Sequence, residues 1–148
     1  MQGKVGTSTA RKKIAGGSVK PGERLWAAGL RPTRQRCVLA ELLFRHGHRH
    51  VTAELLHQEA EDAGHAVSLA TVYNALHQFT DAGLLQQVIV EASHSYFDTN
   101  IEPHQHFYDV DDERLTDISA DISVSGLPAP PRGTKITRVD VVVRIRRA

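Results

Sequence analysis

The chain carries a single cysteine, Cys37, in 148 residues. One thiol excludes an internal disulfide and any zinc site built on four thiolates. Cys37 lies in the apolar run Cys37-Val38-Leu39-Ala40, which predicts a buried, inert thiol. Long hydrophobic runs are also missing. No apolar stretch reaches the roughly 18 residues of a membrane-crossing helix. The charged N-terminus lacks the apolar segment of a secretory signal. A cytoplasmic protein with no membrane partner is expected. Net charge is nearly absent too, at +1, but the charges are unevenly placed. Lys4, Arg11, Lys12, Lys13, Lys20, Arg24, Arg31, Arg34 and Arg36 face one nearby acid, Glu23. The middle is acidic and the tail basic again through Arg144, Arg146 and Arg147. That asymmetry suits a polyanion partner at one end, or a solvated tail over residues 1–20.

Residues 1–20 are rich in Gly, Ser, Lys and Arg without periodicity, and read as a flexible basic segment. Pro21 suits the start of a short helix that Gly29 stops. Thr33, Thr52 and Ser68 are N-cap residues for three further helices, ended by Gly47, Gly64 and Gly83. Apolar stripes are expected at Val38, Leu39, Leu42 and Leu43, at Leu55, Leu56 and Ala60, and at Leu69, Val72, Leu76 and Phe79. Leu84 to Val90 and His94 to Asp98 read as two strands around a turn at Glu91-Ala92-Ser93. Helix, turn, helix and a two-stranded ribbon is the order of a winged helix-turn-helix, here residues 21–99.

Residues 100–103 read as a hinge, and residues 104–148 as a second unit. His104–Asp109, Arg114–Ile118 and the Val-rich stretch Ile136–Ile145 are its expected strands. Three short strands bury little surface alone, so pairing with a second copy in a homodimer is expected. The fold class is therefore α+β, a winged helix followed by a small α/β dimerisation domain.

The helix capped by Ser68 presents Ala70, Thr71, Asn74, His77 and Gln78 away from its stripe, with Tyr73 at the boundary. Small and hydrogen-bonding residues near a helix N-terminus suit entry into the major groove of double-stranded DNA. Asn74 or Gln78 can pair with adenine, and Tyr73 can reach a phosphate or a base edge. Arg31, Arg34 and Arg36 can grip phosphates. A polar, solvent-facing helix would give the same pattern.

Nine histidines are present, and His104-Gln105-His106 is the sharpest feature among them. Residues two apart on a strand share a face about 7 Å apart, so both imidazoles can meet one metal or a haem iron. Asp98 or Asp117 can complete a nitrogen–oxygen site, and His50 can reach across from the winged helix. Solvated strand histidines are the bland alternative. A hydrolase built on His104, His106 and Asp98 is disfavoured, because neither a general base nor a nucleophile accompanies them. A winged helix used only for protein contacts would leave the histidines unexplained.

Leu30-Arg31-Pro32-Thr33-Arg34-Gln35-Arg36, His50-Val51-Thr52-Ala53-Glu54, Ser68-Leu69-Ala70-Thr71-Val72-Tyr73-Asn74-Ala75-Leu76 and Asp81-Ala82-Gly83-Leu84 together resemble the ferric uptake regulator family. The resemblance spans residues 22–145. Tyr96-Phe97-Asp98-Thr99-Asn100 and the closing stretch Arg138-Val139-Asp140-Val141-Val142-Val143-Arg144 resemble its iron response regulator branch. The resemblance implies a non-enzymatic, homodimeric repressor of iron and haem homeostasis genes. It also implies a regulatory metal (iron, manganese or zinc) on His50, Asp98, His104, His106 and Asp117. For the branch it implies a response to haem; a divalent-metal-dependent or peroxide-sensing repressor is the alternative. The paired Cys-x-x-Cys motifs of many relatives are missing, with Asp109 and Asp112 at the first pair, so no cysteine-held structural zinc is expected. Gln105 stands where a second site would need a ligand. The Cys-Pro haem motif is missing as well, which leaves His104 and His106 as the haem ligands.

Overall fold

The computed structural model describes residues 19–148, so most of the basic N-terminal segment lies outside the described residues. The elements run α1 (Pro21–Ala27), α2 (Arg34–Phe44), β1 (His50–Val51), α3 (Ala53–Asp62), α4 (Leu69–Asp81), β2 (Gln86–Glu91), β3 (His94–Asp98), β4 (Gln105–Asp109), β5 (Arg114–Ile118) and β6 (Val142–Ile145). All described helices precede the strand β2, and none is long and apolar enough to cross a membrane.

Local chemistry sets the helix starts. The hydroxyl of Thr33 accepts from the Arg36 N–H at 3.3 Å, Thr52 from Leu55 at 3.1 Å and Ser68 from Thr71 at 3.1 Å. Each satisfies an N–H that the helix itself leaves without a partner. Gly64 and Gly83 follow α3 and α4 with φ of 82° and 80°, a left-handed stop that only glycine adopts freely.

The three main helices bury one core: Leu39 and Leu43 of α2, Leu56 of α3, and Val72, Leu76 and Phe79 of α4 close on Leu25 and Phe97. Fully burying a Leu or Phe side chain contributes roughly 1.5–3 kcal/mol, so this cluster carries the winged helix. Two expected core residues lie outside. Leu55 is 45% exposed and Leu69 36% exposed. The inward face of α3 runs Ala53, Leu56 and Ala60, one residue out of phase with Leu55. Leu69 opens α4 before its stripe begins, and Ala75 completes that stripe. Cys37 is only half-buried, packed against the rim of the core rather than inside it.

β1, β3 and β2 form one sheet in that order, so the expected two-stranded ribbon gains a third, two-residue strand. β5, β4 and β6 form a second sheet, with β4 and β5 antiparallel and β4 and β6 parallel. The expected strand Ile136–Ile145 shrinks to Val142–Ile145: these four residues pair with His106 to Asp109, and the Val141 N–H goes to the Gln105 side chain instead. Residues 119–141 form the crossover that a parallel pair requires, mostly exposed and without regular structure.

A second core joins the two sheets. Val88, Val90 and Tyr96 of the wing pack with Tyr108 and Leu115 of the C-terminal sheet. The Tyr96 hydroxyl donates to the Glu113 carbonyl at 2.7 Å. Arg144 donates to the Val90 carbonyl, pairs with Glu91 at 3.2 Å, and lies over the Tyr108 ring.

Candidate metal centre

Two cross-strand pairs face each other where the sheets meet. His50 of β1 lies opposite Asp98 of β3, and His106 of β4 lies opposite Asp117 of β5. His104, just ahead of β4, points the same way as His106 because the side-chain period of extended chain is two. One donor atom from each of these five residues lies within 4.8 Å of all the others.

The carboxylate of Asp98 is the hub. Its Oδ2 lies 3.1 Å from His50 Nε2, 2.8 Å from His104 Nε2 and 3.1 Å from His106 Nε2. Asp117 Oδ1 lies 2.9, 3.2 and 3.4 Å from the same three nitrogens. Asp98 is 1% exposed and His106 2% exposed. The Asn100 N–H donates to Asp98 Oδ1 at 2.8 Å, which turns Oδ2 toward the imidazoles. His104 Nδ1 lies 2.6 Å from the Glu102 carbonyl. A carbonyl only accepts, so Nδ1 carries the proton and the Nε2 lone pair faces the cluster. The neighbouring Gln86 amide, buried beside His104, donates to the Asn100 carbonyl at 2.6 Å.

The donor set fits a divalent cation. Donors that share a cation at about 2.0–2.1 Å stand about 3 Å apart, and the contacts here fall between 2.8 and 3.4 Å. His50 Nε2 is buried and, despite two carboxylates within reach, makes no hydrogen bond. Its ring aims between them, at the centre of the cluster. Three neutral imidazoles and two carboxylates carry two negative charges, the complement of a divalent ion, and a nitrogen–oxygen set without thiolates suits iron, manganese or zinc. Burial pulls the His50 pKa down, but the Asp98 and Asp117 carboxylates outweigh it and hold the group above its ordinary value. Burial pushes Asp98 up, and its contacts with His106 and His50 and the Asn100 N–H overcome this and hold it well below the usual carboxylate range. Without a cation, the two carboxylates favour a proton on His50; the ligand set is charged for metal, not for an apolar core.

The family model described as "Ferric uptake regulator family" matches residues 27–143. This chain belongs to the ferric uptake regulator family. The ferric uptake regulation proteins of Shigella flexneri and Escherichia coli K12 are 37% and 36% identical to it over 95 residues. That stretch is 64% of this chain and 64% of each relative's length. Among solved structures, the ferric uptake regulator of Pseudomonas aeruginosa with manganese aligns with a TM-score of 0.65 at 25% identity, over 87% of this chain and 98% of that one. The Vibrio cholerae ferric uptake regulator aligns with a TM-score of 0.67 at 27% identity, over 84% and 98%.

In this ferric uptake regulator family chain, the outer face of α4 is partly wired into the protein. Ala70, Tyr73, Asn74, His77 and Gln78 are exposed along it, and Thr71 is half-buried. Ser68 caps the helix and its hydroxyl donates to Thr71 at 2.9 Å. Arg36 donates from Nε and Nη2 to Gln78 Oε1 at 3.2 and 2.8 Å, and from Nη1 to the Arg31 carbonyl at 2.9 Å. The α4 helix has no cation of its own, and Arg36 lends it one. Gln78 Oε1 therefore already accepts two N–H bonds, whereas Asn74 is exposed on the same face. Arg31 is exposed and shares a concave surface with Thr71, Asn74 and Gln78, whereas the exposed Arg34 lines another with Gly64, His65 and Val67. The Tyr73 hydroxyl donates to Glu54 Oε1 at 2.6 Å. Glu54, Gln86 and Arg49 act through contacts between distant elements and gave no local signal beyond Glu54's place in the His50–Glu54 run.

Proposed function

We propose that this chain is a DNA-binding transcriptional regulator, mainly a repressor, that docks on its operator as a homodimer and answers to a divalent metal held by His50, Asp98, His104, His106 and Asp117. The observation that carries the reading is the origin of the five donors. His50 and Asp98 come from the winged helix, and His104, His106 and Asp117 from the segment beyond residues 100–103. When bound, a divalent cation would supply charge that holds both groups of ligands together. Asp98, fixed by Asn100, and His104, fixed by the Glu102 carbonyl, then set the angle between the two halves.

α4 enters the major groove with Ala70, Thr71, Tyr73 and Asn74 toward the bases, and Arg31, Arg34 and Arg36 beside the phosphates. Two such helices in a dimer must sit about 34 Å apart, or a multiple of it. A small rotation at residues 100–103 therefore abolishes simultaneous docking. The exposed apolar residues Ile122, Val124, Leu127, Ile136 and Val139 of the C-terminal half support pairing with a second copy.

Regulation of iron and haem homeostasis genes in the cytoplasm, as in the iron response regulator branch, rests on the resemblance of residues 96–100 and 138–144. A response to haem through His104 and His106 is the second reading, favoured by their adjacency on one strand edge. The geometry favours the small cation, because both Nε2 atoms point inward at Asp98 and His106 is enclosed. Parallel titrations with manganese and with haem decide between them. Tight manganese binding that switches mobility shift of a duplex supports the metal reading. A saturating Soret shift lost in the His104→Ala/His106→Ala protein would replace it with the haem reading. Binding of neither would sink both.

A further inference from the structure

Resting on the DNA-binding reading above, we infer that Glu54 is a specificity-determining positioning residue: its carboxylate holds the Tyr73 hydroxyl and keeps phosphate away from that part of α4. The Tyr73 hydroxyl lies 2.6 Å from Glu54 Oε1, and both side chains are exposed. Together with Thr52 and His94 they line one concave surface between the start of α3, α4 and the turn of the wing.

An exposed carboxylate on a surface that meets DNA opposes binding to every sequence alike, since it faces the phosphates. The contact it makes explains its place. A phenol has one proton, and here that proton goes to Glu54, so Tyr73 has none for a phosphate oxygen. Glu54 is the second residue of α3, where the helix dipole favours a negative charge. The Tyr73 hydrogen bond is the main cause that holds its pKa below the usual carboxylate range. The ring is thereby tied across two helices before DNA arrives, which reduces the ordering cost of a base contact. The charge next to it penalises complexes in which the backbone, not a base, occupies the site. Specificity gained by a repulsive element is a general device.

The test uses the full chain loaded with manganese and a pool of random duplexes. The wild type first selects an enriched duplex; its affinity is then compared with a scrambled duplex across salt. Glu54→Ala is expected to bind the scrambled duplex about 2–5-fold tighter at low salt, with a salt slope steeper by up to about 1. Its preference for the enriched duplex should fall about tenfold. Tyr73→Phe should lose similar preference without the gain on scrambled DNA. The double variant should lose no more than either single one, the signature of a coupled pair. Glu54→Gln keeps an acceptor without the charge, so it should tighten scrambled binding and lose part of the preference, less than Glu54→Ala does. Unchanged preference in Glu54→Ala and Tyr73→Phe overturns the inference, as does equal weakening on both duplexes with unchanged manganese affinity. If the wild type enriches no sequence at all, the DNA-binding reading falls, and the inference falls with it.

Discussion

His50 lies opposite Asp98 in the β1–β3 ladder, and its Nε2 stands 3.1 Å from that carboxylate. β1 is only two residues long, so its pairing does little for the sheet and much for the position of one imidazole. Replacing His50 by Ala is expected to lower manganese affinity more than about 100-fold, beyond the loss typical of outer-shell changes. Calorimetry checks the affinity, and circular dichroism should show the helices intact. Affinity within tenfold of wild type would remove His50 from the ligand set.

Metal removal should show in stability. A ligand at 100 times its dissociation constant adds about 2.7 kcal/mol, or roughly 5–10 °C in Tm for a chain of this size. Manganese should raise the melting temperature by that amount and a chelator should return it. The chelator should not unfold the protein. Asp109 accepts from the N–H groups of Asp111 and Asp112, and Asp112 pairs with Arg147, so this turn is held by carboxylates of the chain itself.

Gln86 contributes no ligand atom, yet its amide holds the Asn100 carbonyl at 2.6 Å beside His104. Gln86→Leu should weaken manganese binding roughly tenfold, with all five ligands present. The same titration reads it. An unchanged constant would mean that Asn100 and Glu102 hold His104 unaided.

Arg49 joins three parts of the winged helix. Its guanidinium donates to Glu59 at 2.6 Å and to the Leu42 carbonyl at 3.2 Å, and its backbone brackets Thr99. Arg49→Ala leaves Glu59 without its cation, with one carboxylate oxygen already buried and unbonded. Both side chains are about a quarter exposed, at 23% and 28%, so the expected loss is about 1–3 kcal/mol rather than that of a fully buried pair. Thermal or urea unfolding measures it.

Arg36→Ala should weaken binding to all duplexes and reduce the salt slope by about 1. It also frees the acceptor of Gln78, so any new preference for adenine among the selected sequences would show Gln78 reading DNA once released.

What was legible in the chain was what depends on near neighbours. Thr33, Thr52 and Ser68 cap helices because hydroxyl and N–H lie three residues apart, and His104 and His106 share a face because extended chain has a period of two. The stripe of α4 was legible for Val72, Leu76 and Phe79, but not at Leu69, where the helix has barely begun. Leu55 was misread because neighbouring leucines compete for one face and periodicity alone does not set the phase. β6 is short because the Val141 N–H is taken by the Gln105 side chain, a contact absent from the valine run itself. Strand position raised Asp98, Asp117 and His50 as candidates, but the full five-residue set followed from resemblance, since His50 and Asp117 are 67 residues apart and meet only when two sheets pack. Glu54 with Tyr73, and Arg36 with Gln78, are likewise products of helix packing.

Val88, Val90 and Tyr96 turn one side of the wing toward Tyr108 and Leu115. Cleavage of the chain within residues 100–103 would therefore not release a self-sufficient reading head. It would leave Val88, Val90 and Tyr96 facing water, an exposed apolar patch open to self-association. The wing is borrowed from both halves, and whatever tilts the C-terminal sheet carries the wing with it.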